Sequence, residues 1–110
     1  MSLCYLNGDY LPLDEARVPV LDRGFIFGDG VYEVIPVFGG RVLRLAQHLA
    51  RLARSLEAVA IANPLSELEW SVVIERLLAA QSGADFTVYL QVTRGVAPRL
   101  HQPPAGLAPT

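Results

Sequence analysis

A strict two-residue alternation near the end of the chain restricts its possible folds more than any other feature. Apolar residues alternate there with more polar ones over eight positions, residues 86–93 (FTVYLQVT). Successive side chains of a strand point to opposite faces, so the pattern predicts a strand with one apolar face. Such one-sided strands are typical of antiparallel sheets, and other parts of the chain must cover the apolar face.

Two amphipathic helices are predicted to provide that cover. The first apolar stripe recurs at three- and four-residue steps: Leu45, Leu49, Leu52, Leu56 and Val59. The second stripe consists of Trp70, Val73, Ile74, Leu77 and Leu78. Asn63-Pro64 separates the two helices, Ser66 and Glu69 have the capping-box spacing, and Gly83 suits the end of the second helix.

The first half of the chain contains further strand patterns. Residues 4–13 are predicted to form a hairpin around an Asn-Gly turn, and residues 31–38 and 41–43 to form two more strands. Pro36 cannot donate to a strand ladder, so it indicates an edge or a bulge. The order of strands, two helices and a strand predicts an α+β fold with a mainly antiparallel sheet and two helices packed on one face.

Charge and cysteine content narrow the possible functions. The 110-residue chain has nine arginines, no lysine and eleven acidic residues, for a net charge of −2. Nucleic-acid binding would favour a basic stripe, so we expect no nucleic-acid partner. Cys4 is the single cysteine, which excludes an internal disulfide and predicts a cytoplasmic protein. No apolar run approaches the roughly 18 residues of a membrane span, so no membrane partner is expected.

A glycine-rich segment precedes the second predicted strand region. Residues 22–30 read DRGFIFGDG and place three glycines within seven positions. This density predicts a tight backbone path or a close approach to another group. It is not a phosphate-binding P-loop, because the lysine and the helix-opening spacing of that motif are missing.

Five residues are candidates for binding chemistry. Arg99 and His101 follow the predicted last strand, where a guanidinium and an imidazole together could hold a carboxylate. Tyr32 and Val34 face the same side of a strand and could line a cavity. Arg51 lies on the polar side of the first helix and could bind a phosphate. From the residues alone, solvated polar side chains and a packed aromatic remain open alternatives. The two histidines have no spacing that indicates a metal.

Four segments carry a resemblance to a known family. Residues 22–34, DRGFIFGDGVYEV, resemble the fold-type IV pyridoxal-phosphate enzymes, which include D-amino acid aminotransferases, branched-chain aminotransferases and aminodeoxychorismate lyase. Residues 48–52, HLARL, resemble the His-x-x-Arg-Leu helix of that family. Residues 91–95, QVTRG, and 98–102, PRLHQ, are similar to the D-amino acid aminotransferase branch in particular.

The resemblance implies roles for the five candidates. It implies that Arg51 binds the phosphate of pyridoxal 5'-phosphate, and that Tyr32 and Val34 line the substrate side of the site. It also implies that Arg99 and His101 bind the substrate α-carboxylate, on a loop that reaches into the partner's active site in a homodimer.

The resemblance further implies a domain organisation. Residues 1–104 would be the small N-terminal domain of the D-amino acid aminotransferase-like fold, residues 105–110 would begin an interdomain linker, and the C-terminal domain would be absent. The Schiff-base lysine of the family belongs to that missing domain. We therefore expect no catalytic residue in this chain and no activity from the chain alone, because arginine stays protonated and is a poor nucleophile.

The implied activity of the intact enzyme is transfer of an amino group between a D-amino acid, such as D-alanine, and a 2-oxo acid. Branched-chain amino acid transfer and aminodeoxychorismate cleavage remain alternatives within the family. A stand-alone binding or dimerisation module is the alternative from another class.

Overall fold

Nine short elements make up the computed structural model, which describes residues 2–110; Met1, the first residue of the predicted 1–104 domain, lies outside them. The strands are β1 (Leu3–Leu6), β2 (Asp9–Pro12), β3 (Gly30–Phe38), β4 (Arg41–Val42) and β5 (Phe86–Thr93). The helices are α1 (Arg23–Phe27), α2 (Leu45–Ala58) and α3 (Glu67–Ala79), and a single 3-10 turn spans Leu13–Glu15. The α+β class with antiparallel strands is confirmed.

The strands form two separate sheets, where one was predicted. β1 and β2 pair only with each other, as a hairpin whose turn has positive φ at Asn7 (50°) and Gly8 (98°). Both central residues of this turn type need positive φ, which explains the Asn-Gly pair. The other sheet has the order β4-β3-β5 and is antiparallel throughout. Because β1 and β2 join no strand of this sheet, the prediction of a single sheet was wrong.

The central strand β3 has an open edge along most of its length. β5 pairs with β3 from Gly30 to Val37, whereas the two-residue β4 pairs only with Val37 and Phe38. Pro36 accepts a hydrogen bond at its carbonyl from the Leu43 amide, on the side away from β5. Its ring nitrogen faces the same side, so no bond to β5 is lost. Pro36 thus lies in the central strand, on the side where the pairing with β4 ends, rather than at an edge of the sheet.

Both long helices contribute to the core on one face of the β3–β5 sheet. The buried core comprises Ile35, Val37, Leu49, Leu52, Leu56, Ile61, Trp70, Ile74, Val88, Leu90 and Val92. The capping box of Ser66 and Glu69 is present, but α3 ends at Ala79, so the prediction that Gly83 ends it was wrong. Val59 caps α2 and is 39% exposed rather than part of the buried stripe. Within residues 2–110, none of the helices combines the length and apolarity that crossing a bilayer requires.

The glycine-rich segment forms a third, five-residue helix that was not predicted. The Asp22 side chain caps α1 by accepting from the Gly24 amide at 2.8 Å, and Gly28 ends it with φ 64°. A Cβ on Gly24 would collide with the Thr93 side chain, and a Cβ on Gly30 would lie 2.6 Å from the Val92 carbonyl oxygen. The predicted tight path and close approach are confirmed, and the group approached is β5.

The last residues return to β5. Thr93 and Thr110 exchange backbone hydrogen bonds of 2.9 and 3.3 Å. Gly95 has φ 109°, and a Cβ there would collide with the Ala108 carbonyl. The assignment of residues 105–110 to the start of an interdomain linker stays a prediction, as does the 1–104 domain boundary.

Candidate functional site

The buried carboxylate of Glu33 holds Arg51 in place. We call Glu33, Arg51 and His48 the Glu33 cluster. Nε and Nη2 of Arg51 donate to Oε2 and Oε1 of Glu33 at 2.8 and 2.9 Å. Nδ1 of His48 lies 2.7 Å from Oε1 of the same carboxylate. The Glu33 side chain is 3% exposed and that of Arg51 is 61% exposed. Arg51 is therefore fixed on one side and open to solvent on the other.

The strand period explains why Glu33 needs these partners. Glu33 has the same parity as Ile35 and Val37, so its side chain points to the face of β3 that the helices cover. A buried carboxylate is costly unless it is paired. Hydrogen bonding by Arg51, helped by His48, holds the pKa of Glu33 below its ordinary value of 4.5. Glu33 in turn raises the pKa of Arg51, which stays protonated.

Tyr32 and Val34 lie on the opposite face of β3, and both are exposed, at 64% and 43%. The Tyr32 ring stacks on that of Tyr89 in β5, with centroids 6.0 Å apart. Tyr32 is the residue next to Glu33 along β3, and Val34 shares the exposed face with Tyr32. The structure thus places these two side chains beside the strand position that holds Arg51, but on the opposite face.

Arg99 and His101 lie on an exposed loop, residues 98–102, beside the short helix α1. The Phe27 ring is 5.4 Å from the Cζ atom of Arg99 and, centroid to centroid, 5.4 Å from the His101 ring. The Arg23 guanidinium also lies over Phe27, at 4.8 Å. We call these four residues the Phe27 cluster. Arg99 and His101 are thus brought together with each other, and no direct contact joins them to Arg51 within residues 2–110.

Asp29 and Arg94 link the two clusters structurally. Oδ2 of Asp29 accepts from Nε of both Arg23 and Arg94 at 2.8 Å. The other donors of Arg94 bind the carbonyls of Val59 and Ala60, at the end of the helix that carries Arg51. Hydrogen bonding by Arg94, helped by Arg23, holds the pKa of Asp29 below its ordinary value of 3.8.

A large cavity lies elsewhere and lacks the chemistry of an anion site. It has a volume of about 1010 Å³ and opens between the β1–β2 hairpin, α3 and the free edge of β5. Within the described chain, its lining includes none of the five predicted site residues and no charged side chain. Phosphate and carboxylate groups are held by cationic side chains, so the exposed arginines are the better candidate site.

Comparison with known proteins identifies the family. The family model described as "Amino-transferase class IV" matches residues 30–110, which include all five predicted site residues. The chain belongs to the class IV aminotransferases. This class IV chain is also 44% identical over 103 residues to D-alanine aminotransferase from Bacillus licheniformis, covering 94% of the chain and 36% of that protein. It spans about a third of the length of the curated relatives that it matches.

Solved structures support the same assignment. 4-Amino-4-deoxychorismate lyase from Pseudomonas aeruginosa is 36% identical with a TM-score of 0.71, over 86% of the class IV chain and 33% of that structure. Branched-chain amino acid aminotransferase from Escherichia coli has a TM-score of 0.86 at 20% identity, over 94% of the chain and 35% of that structure. The second similarity establishes the fold alone, which matches the predicted small domain.

Sequence reasoning assigned no role to Glu33, Arg23, Asp29 or Arg94, although all four lie in motifs of the class IV aminotransferases that it quoted. For Glu33 a signal was present. Residues 31, 33, 35 and 37 share one face of the strand, and a single carboxylate among apolar residues must have a cationic partner. His48 and Arg51 are three residues apart, so they share a face of the helix that follows. For Asp29 and Arg94, which are 65 residues apart, no local pattern indicates a contact.

Acid is expected to destabilise the class IV chain through Glu33 and Asp29. Because both folded-state pKa values are lowered, the ionised groups contribute stability that is fully present above the ordinary values of 4.5 and 3.8. This stability is lost as the pH falls through the lower, folded-state values. We expect the urea midpoint to be constant from about pH 7 to 5 and to fall below about pH 4.5.

Comparison with Glu33→Gln measures the contribution of one carboxylate. At pH 7 this variant should be less stable than the parent, since it loses the charge-assisted bonds to Arg51. The difference in stability should shrink as the pH falls below 4.5. There Glu33 of the parent is protonated first in the unfolded state and, at lower pH, in the folded state too. A difference in unfolding free energy that is constant from pH 7 to pH 3 would contradict the assignment.

Proposed function

We propose that the chain is the N-terminal part of a pyridoxal-phosphate-dependent aminotransferase, and that it holds the cofactor phosphate and the substrate carboxylate. The observation that carries the proposal is the Glu33–Arg51 pair. A buried carboxylate binds one side of the Arg51 guanidinium, and the Arg51 side chain is otherwise exposed. Among the similar solved structures, a branched-chain aminotransferase is complexed with N-(5'-phosphopyridoxyl)-L-glutamate, and an aminotransferase from Mycobacterium tuberculosis is bound to pyridoxal phosphate.

The residues of this chain fit the phosphate of the cofactor. Within residues 2–110, Nη1 of Arg51 makes no hydrogen bond, so it can donate to an incoming phosphate while Glu33 keeps the other two nitrogens in place. His48 holds the same carboxylate from its other side. When bound, pyridoxal phosphate supplies a ring that stabilises negative charge at the substrate α-carbon. The chain has no lysine, so the amine that binds the cofactor must come from outside it.

The remaining predicted residues would act on the substrate. Tyr32 and Val34 would line the side of the cofactor where substrate enters, because both are exposed on one face of β3 and flank Glu33, which binds Arg51. Arg99 and His101 would hold the α-carboxylate, since both side chains can donate hydrogen bonds and are presented by one loop. Among residues 2–110, no hydrogen bond or ion pair joins Arg51 directly to Arg99 or His101, which supports sharing of the site between two copies in a homodimer.

The substrate proposal is a D-amino acid such as D-alanine, with a 2-oxo acid as acceptor. It is supported by the 44% identity to D-alanine aminotransferase over nearly the whole chain. The test is to assay the full-length protein with D- and L-amino acids and 2-oxoglutarate. Turnover of D-alanine is expected, and turnover restricted to branched L-amino acids would contradict the D-amino acid assignment. The cytoplasmic location stays a prediction.

Cleavage of aminodeoxychorismate is the second candidate. The 36% identity to the lyase from Pseudomonas aeruginosa favours it over branched-chain transfer, because the identities to the branched-chain aminotransferases of Escherichia coli and Thermoproteus uzoniensis are only 20% and 26%. Release of pyruvate from aminodeoxychorismate without an amino acceptor would identify this activity. The alternative of a stand-alone binding or dimerisation module is tested by sequencing the gene beyond the codon for Thr110, where a lysine-bearing α/β domain is expected.

Replacing Arg99 with alanine is expected to weaken substrate binding selectively. The guanidinium binds the carboxylate that all amino acids share, so the KM for D-alanine should rise by about ten- to a hundredfold. The affinity for pyridoxal phosphate should stay unchanged, because no contact joins the 98–102 loop to Arg51 within residues 2–110. Steady-state kinetics and cofactor titration of the full-length variant measure both. Loss of cofactor with an unchanged KM would contradict the role.

A further inference from the structure

Arg23 is a buried cation that the proposed function does not yet use. It is 4% exposed, and a buried charge is costly unless its donors are satisfied. Nε donates to Asp29 at 2.8 Å, Nη1 to the Leu100 carbonyl at 2.6 Å, and Nη2 to the His101 carbonyl at 3.1 Å. Two of its three bonds are thus made to the backbone between Arg99 and His101, 77 and 78 residues away in sequence.

Phe27 contacts the side chains of the same loop. One aromatic ring lies beside the guanidinium of Arg99 and the imidazole of His101, at 5.4 Å in each case. The Arg99 guanidinium is attracted to the face of an aromatic ring, and the His101 ring packs against the same ring. These two contacts restrict the directions in which the two side chains can point. Arg23 lies over the same ring. The residue that binds the loop backbone and the residue that contacts the loop side chains are therefore themselves in contact.

The charges in this unit favour an anion on the loop. Asp29 is shared between Arg23 and Arg94, which places two guanidinium groups on one carboxylate oxygen. None of the ion pairs found among residues 2–110 involves Arg99. The loop therefore carries a positive charge at Arg99 without an acidic partner among the described residues, and Arg23 holds its backbone through two carbonyls. Such preorganised donors bind an anion without first having to be ordered.

We propose that Arg23 and Phe27 are positioning residues for the substrate carboxylate. Arg23 fixes the backbone at residues 100 and 101, and Phe27 fixes the directions of Arg99 and His101. The inference rests on the proposed function, because it assigns to α1 the support of the loop that would bind substrate. It also gives the Arg-Gly-x-x-Phe part of the glycine-rich motif a chemical reason.

The test compares Arg23→Gln and Phe27→Leu with Arg54→Gln in the full-length enzyme. Arg54 is an exposed arginine on α2 and serves as the matched control. Both positioning variants should raise the KM for D-alanine at least about tenfold, because misplacement by about 1 Å can cost about a hundredfold. Their kcat should change by less than about threefold and their affinity for pyridoxal phosphate should not change. The control should match the parent in all three.

Hydrogen exchange supplies a readout that does not depend on activity. The amides of residues 99–102 should exchange faster in both positioning variants than in the parent, while the amides of α2 keep their rates. If Arg23→Gln does not fold, Phe27→Leu decides the question alone. Unchanged KM and unchanged exchange in the folded variants would overturn the proposal. A parent without transaminase or lyase activity would instead contradict the proposed function, and the exchange rates would then decide the positioning role.

Discussion

Replacing Gly30 with alanine is expected to destabilise the fold by about 3 kcal/mol or more, among the largest effects of any single methyl group in this chain. The added Cβ would lie 2.6 Å from the Val92 carbonyl oxygen and 3.0 Å from the Cα atom of Thr93. Both are backbone atoms of the adjacent strand, so no side chain can turn aside to relieve the overlap. β3 and β5 must separate there, and the buried faces of both strands lose contact.

Gly106→Ala is the matched control, because Gly106 has open space around it and φ 75°. It carries only the cost of a left-handed backbone, about 1–2 kcal/mol. Urea unfolding of the parent and both variants at pH 7 compares the two costs. A loss of stability in Gly30→Ala no greater than in Gly106→Ala would show that the strands separate easily, against the close approach seen here.

Local patterns were sufficient to predict most elements of this fold. The alternation at residues 86–93, the stripe of α2 and the capping box of α3 each depend on neighbours within a few positions, and all three are present, apart from Val59 at the end of the stripe. The division of the strands into two sheets was missed. Whether a hairpin joins a larger sheet depends on long-range packing, and no pattern within residues 3–12 encodes it.

The candidate site was predicted only in its exposed half. Arg51, Arg99 and His101 were named as candidate donors from their residue types and positions. The family resemblance implied their roles, which stay predictions. The buried half consists of groups that neutralise and orient those donors, such as Glu33 and Asp29. Their partners lie 18 residues away for Glu33 with Arg51, and 65 for Asp29 with Arg94. The alternation of β3 indicates that Glu33 needs a cationic partner, but no local pattern indicates the contact between Asp29 and Arg94, which follows from the fold.

Replacing Arg51 with glutamine is expected to cost the full-length enzyme most of its affinity for pyridoxal phosphate. Glutamine keeps a polar side chain but loses the charge and the planar fork that binds Glu33 on one side and would bind phosphate on the other. Loss of charge-assisted hydrogen bonds to phosphate should raise the Kd about ten- to a hundredfold. Titration of the cofactor-free protein, followed by absorbance, measures the change.

Pyridoxal, which lacks the phosphate, makes this experiment specific. If Arg51 contacts the phosphate, Arg51→Gln should weaken the binding of pyridoxal phosphate and leave the binding of pyridoxal unchanged. Arg54→Gln, on the same helix, should weaken the binding of neither ligand. The affinity of Glu33→Gln for pyridoxal phosphate should lie between those of the parent and Arg51→Gln. In this variant Arg51 keeps its charge but loses the carboxylate that holds two of its nitrogens. Equal losses for both ligands would mean that the variant disturbs the domain rather than a phosphate contact. The Glu33–Arg51 pair would then be a structural ion pair, and the phosphate site would have to lie elsewhere.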